Sequence, residues 1–262
     1  MTAFHVILPS NGSSDSYPDN TPSKYTTKLS ERIQLDGEYE VGLSELIYPH
    51  TWFNFNNEAG KFWFGIKIGG EDVRKFFFKS AYYQDGTALA TDLNRQVSRS
   101  LLDMSGVRVR FTFNASSNKF IIETTNRGWL IISNELMKYL GFTRGWPPNP
   151  ALKMNAGSMF TMNRGMNLMY IYSDVASYSV VGDLEAPLLR VCSTSGRVSE
   201  MVKSIFTHPF YVPVARNDFE SIEIDIRDEL GRRVPFLHGR SIVTLHFRRK
   251  YNDSLLRNIT IR

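Results

Sequence analysis

The chain has 262 residues, 42% of them hydrophobic and 13% aromatic, and a formal net charge of +5. That length can bury a full core in one large domain or two small ones, and 18 Phe and 12 Tyr favour strands. Cys192 is the single cysteine, which excludes an intrachain disulfide and a thiolate zinc site.

Ala3 to Leu8 forms a short apolar run that Pro9 ends, and "SNGSSDSYPDNTPS" is a loop by composition. Tyr25 to Leu29 is a short strand candidate. In "EYEVGLSELIYP", Tyr39, Val41 and Leu43 alternate with Glu38, Glu40 and Gly42, the period of a half-buried strand. "KFWFGIKI" and "VRKFFFKS" follow as two strands joined at Gly69-Gly70. The period then changes. Leu89, Leu93, Val97 and Leu101 recur every four residues between Thr87 and Leu102, one face of a helix. "VRVRFTF" and "KFIIETT" are the arms of a hairpin. Ser133 is placed to cap a short helix that runs to Leu140 and stops at Gly141. The prolines of "GWPPNP" break whatever precedes them. Strands return in "MNLMYIYSDV", "APLLRVC", "IFTHPFYVPV", "SIEIDIRDELGRRVPF" and "SIVTLHFRR".

This order predicts a mainly β chain: one antiparallel sandwich built from residues 1–81 and 165–249, enough for eight strands in two sheets. A small α+β unit, 82–164, interrupts it, and 250–262 is a C-terminal tail. No repeat recurs at a fixed period. The most regular strand is in the last third. Ile222, Ile224 and Ile226 alternate with Glu223, Asp225 and Arg227, so three isoleucines are expected on the core while the charged residues face solvent or a neighbour.

Chemistry-bearing motifs are absent. The sequence has no G-x-S-x-G elbow, phosphate loop, G-x-G-x-x-G, H-E-x-x-H or EF-hand loop, so no enzyme, metal or cofactor is expected. Glu223, Asp225 and Asp228 could supply oxygen ligands to a hard cation, but carboxylates two apart are ordinary on a solvated strand. His246 reads as a surface or interface histidine, and Cys192, after "APLLRV", as a buried small hydrophobe. Trp146 in "GWPPNP" and Trp52 in "YPHTWFNF" are each either a partner anchor or a ring packed on its own core. "GKFWFGIK" and "RKFFFK" mix basic and aromatic residues as single-strand nucleic-acid platforms do, although dense aromatics on strands more often form core. No run of five or more like charges occurs, so the basic balance reads as a mixed exterior, densest at Arg232-Arg233 and Arg248-Arg249-Lys250. No segment approaches the roughly 20 apolar residues of a membrane helix, and "MTAFHVILPSNGSS" lacks a signal peptide's basic start. Membrane insertion and export are therefore not expected.

In order, "FHVILPSN", "YPDNTPSKYTTKLSERIQLDGEYEVGLSELIYPHTW", "YIYSDV", "VGDLEAPLLRV", "HPFYVPV", "FESIEIDIRDELGRRVPF" and "VTLHFRR" resemble the minor capsid, or penton, proteins of Polinton (Maverick) elements and adintoviruses. "DLNRQV" and "KYLGFT" resemble the insertion in such proteins. The resemblance implies a single jelly-roll that assembles as a homopentamer at the fivefold vertices of an icosahedral shell. Its partners there would be double jelly-roll major capsid proteins, with at most weak, non-specific contact with packaged DNA. The chain would be made inside a host cell and reside in the virion capsid. Trp52, Trp146, Glu223, Asp225, Arg227 and Arg248 are the candidate subunit or partner contacts. The competing reading is a jelly-roll binding module that recognises a glycan or receptor through its inserted unit.

Overall fold

The structure is a computed structural model that describes residues 3–68, 72–100, 108–124, 130–143, 145, 153–162 and 166–250. The chain divides into two compact units, Met1–Trp52 with Gly165–Arg262, and Phe53–Arg164.

The first unit is the sandwich. Its strands are β1 (Ala3–Pro9), β2 (Lys24–Gln34) and β3 (Tyr39–Pro49), followed after the second unit by β10 (Leu168–Ser173), β11 (Ser179–Val181), β12 (Leu184–Ala186), β13 (Leu188–Ser193), β14 (Met201–Ile205), β15 (Tyr211–Pro213), β16 (Asp218–Asp228) and β17 (Ile242–Arg249). One antiparallel sheet runs β1-β17-β3-β14, with β15 also on β3, and the other runs β13-β10-β16-β2. Taking the eight principal strands in chain order, the sheets read first-eighth-third-sixth and fifth-fourth-seventh-second. That is the double Greek key of a jelly-roll. β11 and β12 pair only with each other among the described residues.

The expectation for β16 holds on its inner face. Ile222, Ile224 and Ile226 are fully buried, in one cluster with Leu8, Val41, Leu43, Leu245 and Phe247 of the other sheet. Tyr25 of β2 reaches across this core, and its hydroxyl donates to the Leu8 carbonyl at 3.0 Å. The ring is buried, which is why the phenol is held protonated far above its usual range.

The second unit contains β4 (Trp63–Ile68), β5 (Asp72–Phe77), α1 (Gly86–Ser100), β6 (Val109–Asn114), β7 (Lys119–Thr124), β8 (Leu130–Ile132), α2 (Asn134–Tyr139) and β9 (Lys153–Asn155). Two three-stranded sheets, β5-β4-β8 and β6-β7-β9, share an aromatic core with Leu89, Leu93 and Val97 of α1. Those are three of the four residues that the four-residue spacing singles out; Leu101 lies outside the described residues. Ser133 caps α2 by accepting from the Leu136 amide, and Gly141 follows at φ +90°, the left-handed stop that glycine takes at no steric cost.

Three features differ from the sequence expectation. The unit boundary falls at Trp52/Phe53 rather than at residue 81, because β4 pairs with β5 on one side and with β8 of the second unit on the other. β2 runs past Leu29 to Gln34. Ser30, Glu31 and Arg32 hide this extension with polar side chains, and the ladder with β16 shifts register between Phe219 and Ser221 to accommodate it. The run "IFTHPFYVPV" is two short strands, the end of β14 and β15, divided around Pro209, which has no amide to give a ladder. Residues 251–262 of the expected tail lie outside the described residues.

Candidate functional site

The six candidate contact residues do not form one site. Glu223, Asp225 and Arg227 stand together on the outer face of β16. Arg248 stands on the outer face of the other sheet, on β17. Trp52 is in the sandwich core, and Trp146 lies outside the described residues.

Trp52 is a correction. Its ring is 2% exposed, with the His50 ring stacked on it at 4.0 Å and the Tyr48 and Phe236 rings at 6.2 and 6.0 Å. The burial that makes it good core leaves no face for a partner. His50 is fixed there, its Nδ1 3.1 Å from the Ser195 carbonyl, and burial pushes its pKa below the ordinary imidazole value.

Glu223, Asp225 and Arg227 each meet a charged partner within the chain, although the buried Asp225 Oδ1 accepts no hydrogen bond among the described residues. Lys24 of β2 pairs with Glu223 at 3.2 Å. Arg227 donates through Nε and Nη2 to one oxygen of Asp225, at 3.0 and 2.8 Å, and its guanidinium lies 5.9 Å from the Tyr172 ring centroid. Asp225 corrects the solvent-facing expectation: it points outward yet is only 7% exposed, held between Arg227 and the more distant Arg233 at 4.0 Å. Arg233 is close because the chain doubles back. The Asp228 carboxylate accepts from the Leu230 and Arg232 amides, both at 2.9 Å, and from Arg232 Nε at 2.8 Å. It thereby closes the turn that lets Val234 donate to the Ile226 carbonyl. Beside these residues lies an outward depression of about 410 Å³, lined by Tyr17, Asn20, Lys24, Glu223 and Arg233 among others.

Arg248 is also engaged, by Glu40 of β3 at 2.9 Å and by the Tyr211 ring, whose centroid is 3.5 Å away. The Tyr211 hydroxyl meets His246 Nδ1 at 2.7 Å, and the His246 ring lies 4.5 Å from that of His5. Partial burial, then His5 and Arg248, hold the His246 pKa below its ordinary value.

Sequence reasoning missed the other half of that outer face. The register sets Ile7 of β1 opposite Thr244 of β17, Thr244 opposite Glu45 of β3, and Glu45 opposite Ile205 of β14. The next row is Pro9, Ile242, Ile47 and Lys203, and Met201 follows on β14. Ile7, Ile205 and Met201 are exposed, and Ile47 and Ile242 half-buried. A sheet with one face on a core ordinarily turns polar residues outward. The signal was present: Val6-Ile7-Leu8, Leu46-Ile47-Tyr48 and Ile242-Val243 put apolar residues on both phases of three strands.

Elsewhere the side chains are quiet. Cys192 is buried, and burial pushes its thiol up to about 11, which suppresses the thiolate a nucleophile needs. No three of the described His, Cys, Asp and Glu residues are grouped to hold a metal, and no described helix is long and apolar enough to cross a membrane. In the second unit, most rings of "GKFWFGIK" and "RKFFFK" turn to core. Phe77 remains exposed opposite Trp63, and Lys75 lies 4.5 Å from the Trp63 ring centroid.

The sequence matches no protein-family model and no curated protein. Among solved structures, the chain is similar to the selenomethionine-labelled mavirus penton protein, with a TM-score of 0.53 and 15% identity, over 94% of this chain and 99% of that one. The two share a fold across nearly their whole lengths: a jelly-roll β-sandwich.

Proposed function

We propose that this chain is a structural, non-catalytic capsid protein of the penton type. Five copies form a ring at a fivefold vertex of an icosahedral shell, bordered by double jelly-roll major capsid proteins. The observation that carries the reading is the whole-length likeness to a penton, insertion included. The ordered motifs that resemble those of Polinton and adintovirus minor capsid proteins support the same reading. A ring of five needs a heterologous contact, in which one patch meets a different patch on the next copy. Permanent contacts of this kind commonly bury about 2,000 Å² or more. The virion is the expected location, and contact with packaged DNA is expected to be weak and salt-sensitive.

Light scattering over a range of concentration and salt tests the reading. A particle five times the 30.0 kDa chain is expected. A persistent monomer that also fails to bind a double jelly-roll capsid protein overturns it. One observation favours the second reading, a binding module: Trp63 and Phe77 offer rings at the surface of the inserted unit, beside Lys75. Glycan binding that Phe77→Ala abolishes would favour that reading over the shell.

A further inference from the structure

Among the described residues, two apolar surfaces of the sandwich unit stand exposed. The first is the outer face of the β1-β17-β3-β14 sheet, where Ile7 is 65% and Ile205 63% exposed, with Ile47 and Ile242 between them. At its centre sits the Lys203–Glu45 ion pair at 2.8 Å, so the face carries no net charge of its own there. Beside the end of β14, Arg190, which belongs to β13 of the other sheet, lays its guanidinium 4.1 Å from the Phe206 ring centroid and makes no carboxylate pair among the described residues.

The second surface is the β11–β12 hairpin. Val180 is 77% exposed, and Tyr178 and Leu184 are exposed with it. The register puts Val180 opposite Glu185 and Val181 opposite Leu184, so apolar side chains stand on both sides of the ribbon. Gly182 turns it at φ +66° with nothing within 4 Å of where a Cβ would be. A two-stranded ribbon on its own is marginal in water, and apolar side chains on both of its faces make that worse. Its only charges between Ser177 and Pro187 are Asp183 and Glu185.

We propose that the occupant of the sheet face is the β11–β12 hairpin of a second copy of this chain. Val180 and Tyr178, on one side of the ribbon, lie over Ile7, Ile47, Ile242 and Ile205, and the acidic hairpin approaches Arg190. Both surfaces belong to the same unit and differ from each other, so the contact is head-to-tail and propagates from copy to copy. It rests on the vertex reading and specifies the joint of that ring.

The test uses a face variant, Ile205→Glu, and a hairpin variant, Val180→Asp, with Ile7→Glu as a second face variant should β14 tolerate no change. Each is checked for folding by circular dichroism and for mass by sedimentation equilibrium. The expected result is that each variant alone is a folded monomer at concentrations where the unmodified chain associates. An equimolar mixture of Ile205→Glu and Val180→Asp regains one intact joint and runs at twice the 30.0 kDa chain, no larger. A folded variant that still forms the full assembly overturns the contact while the ring stands. Unchanged mass with a lowered Tm places the cover within the same chain, and also overturns it. A mixture that stays monomeric overturns the head-to-tail pairing. An unmodified chain that is monomeric throughout overturns this contact, while binding to a double jelly-roll capsid protein separately decides the vertex reading.

Discussion

The two sheets of the sandwich share one core but present opposite exteriors. Outside the β13-β10-β16-β2 sheet, charge answers charge inside the chain: Lys24 on Glu223, Arg227 on Asp225, Arg216 on Asp174. One half of the exterior of the β1-β17-β3-β14 sheet carries Ile7, Ile47, Ile205 and Ile242 instead, with Ile7 and Ile205 standing in water. The difference teaches where a partner gains most. A charge already paired at short range must give up that pairing, or be desolvated with it, before it can serve another chain. An apolar side chain in water gains free energy from any dry cover, at roughly 25 cal/mol per Å². The charged strand draws the eye in the sequence, yet the apolar face has more to offer a neighbour.

The sharpest way to break this comparison is to put the same substitution on both exteriors' common core and on one exterior. Ile224→Asp removes a fully buried side chain and leaves a carboxylate with no partner between the sheets. Large-to-small losses at such sites cost about 2–5 kcal/mol, and the stranded charge adds several more. Together these approach the whole stability of a domain, about 5–15 kcal/mol. Circular dichroism should show an unfolded or aggregated chain. Ile7→Asp, on the exposed phase of β1, should change stability by no more than about 1 kcal/mol. If Ile224→Asp melted like the unmodified chain, the facing of β16 assigned here would be wrong.

That pair of outcomes also marks what could be read without a structure. A period of two survives any tertiary context, so the inward isoleucines of β16, the helix face at Leu89, Leu93 and Val97, and the cap at Ser133 were legible. Pairing over long sequence distance was not. β4 and β5 carry strand composition, but nothing local says that β8, more than fifty residues on, is the neighbour of β4. The hairpin β11–β12 was passed over because its strands have three residues each, although Gly182-Asp183 is a recognised hairpin turn. Asp225 shows the limit most clearly. Alternation sets it outward, but its burial depends on Arg233, which arrives only because Asp228 closes a turn. The apolar exterior was written in the consecutive runs Val6-Ile7-Leu8 and Leu46-Ile47-Tyr48, whose second phase a search for half-buried strands ignores.

A medium-sized effect should come from pH, and it bears on the isoleucine-bearing sheet, which carries His246 on its outer face. His246 faces His5, Arg248 and the Tyr211 hydroxyl, and its pKa in the folded chain lies below the ordinary value, as does that of the buried His50. Below about pH 6.5 the unfolded chain therefore binds more protons than the folded one. Stability is complete above that pH and falls as the solution is acidified through it. Tm measured from pH 7.5 to 5 should decline, and His246→Gln should flatten part of that decline. An unchanged slope in that variant would assign the effect to His50 alone.

The smallest effect should come from the residue that looked most like a contact. Glu223 pairs with Lys24 at 3.2 Å, with both side chains more than a third exposed. Exposed pairs contribute about 0–1 kcal/mol. Glu223→Lys sets two lysines side by side on β2 and β16, and repulsion across strands costs a similar amount. The Glu223 backbone amide keeps its bond to Asp174, since that bond does not involve the side chain. The variant should fold, lose at most about 1 kcal/mol in chemical denaturation, and show a loss that shrinks in high salt. If it folds but no longer associates, then the charged exterior takes part in assembly as well, and the contrast between the two sheets is one of degree rather than of role.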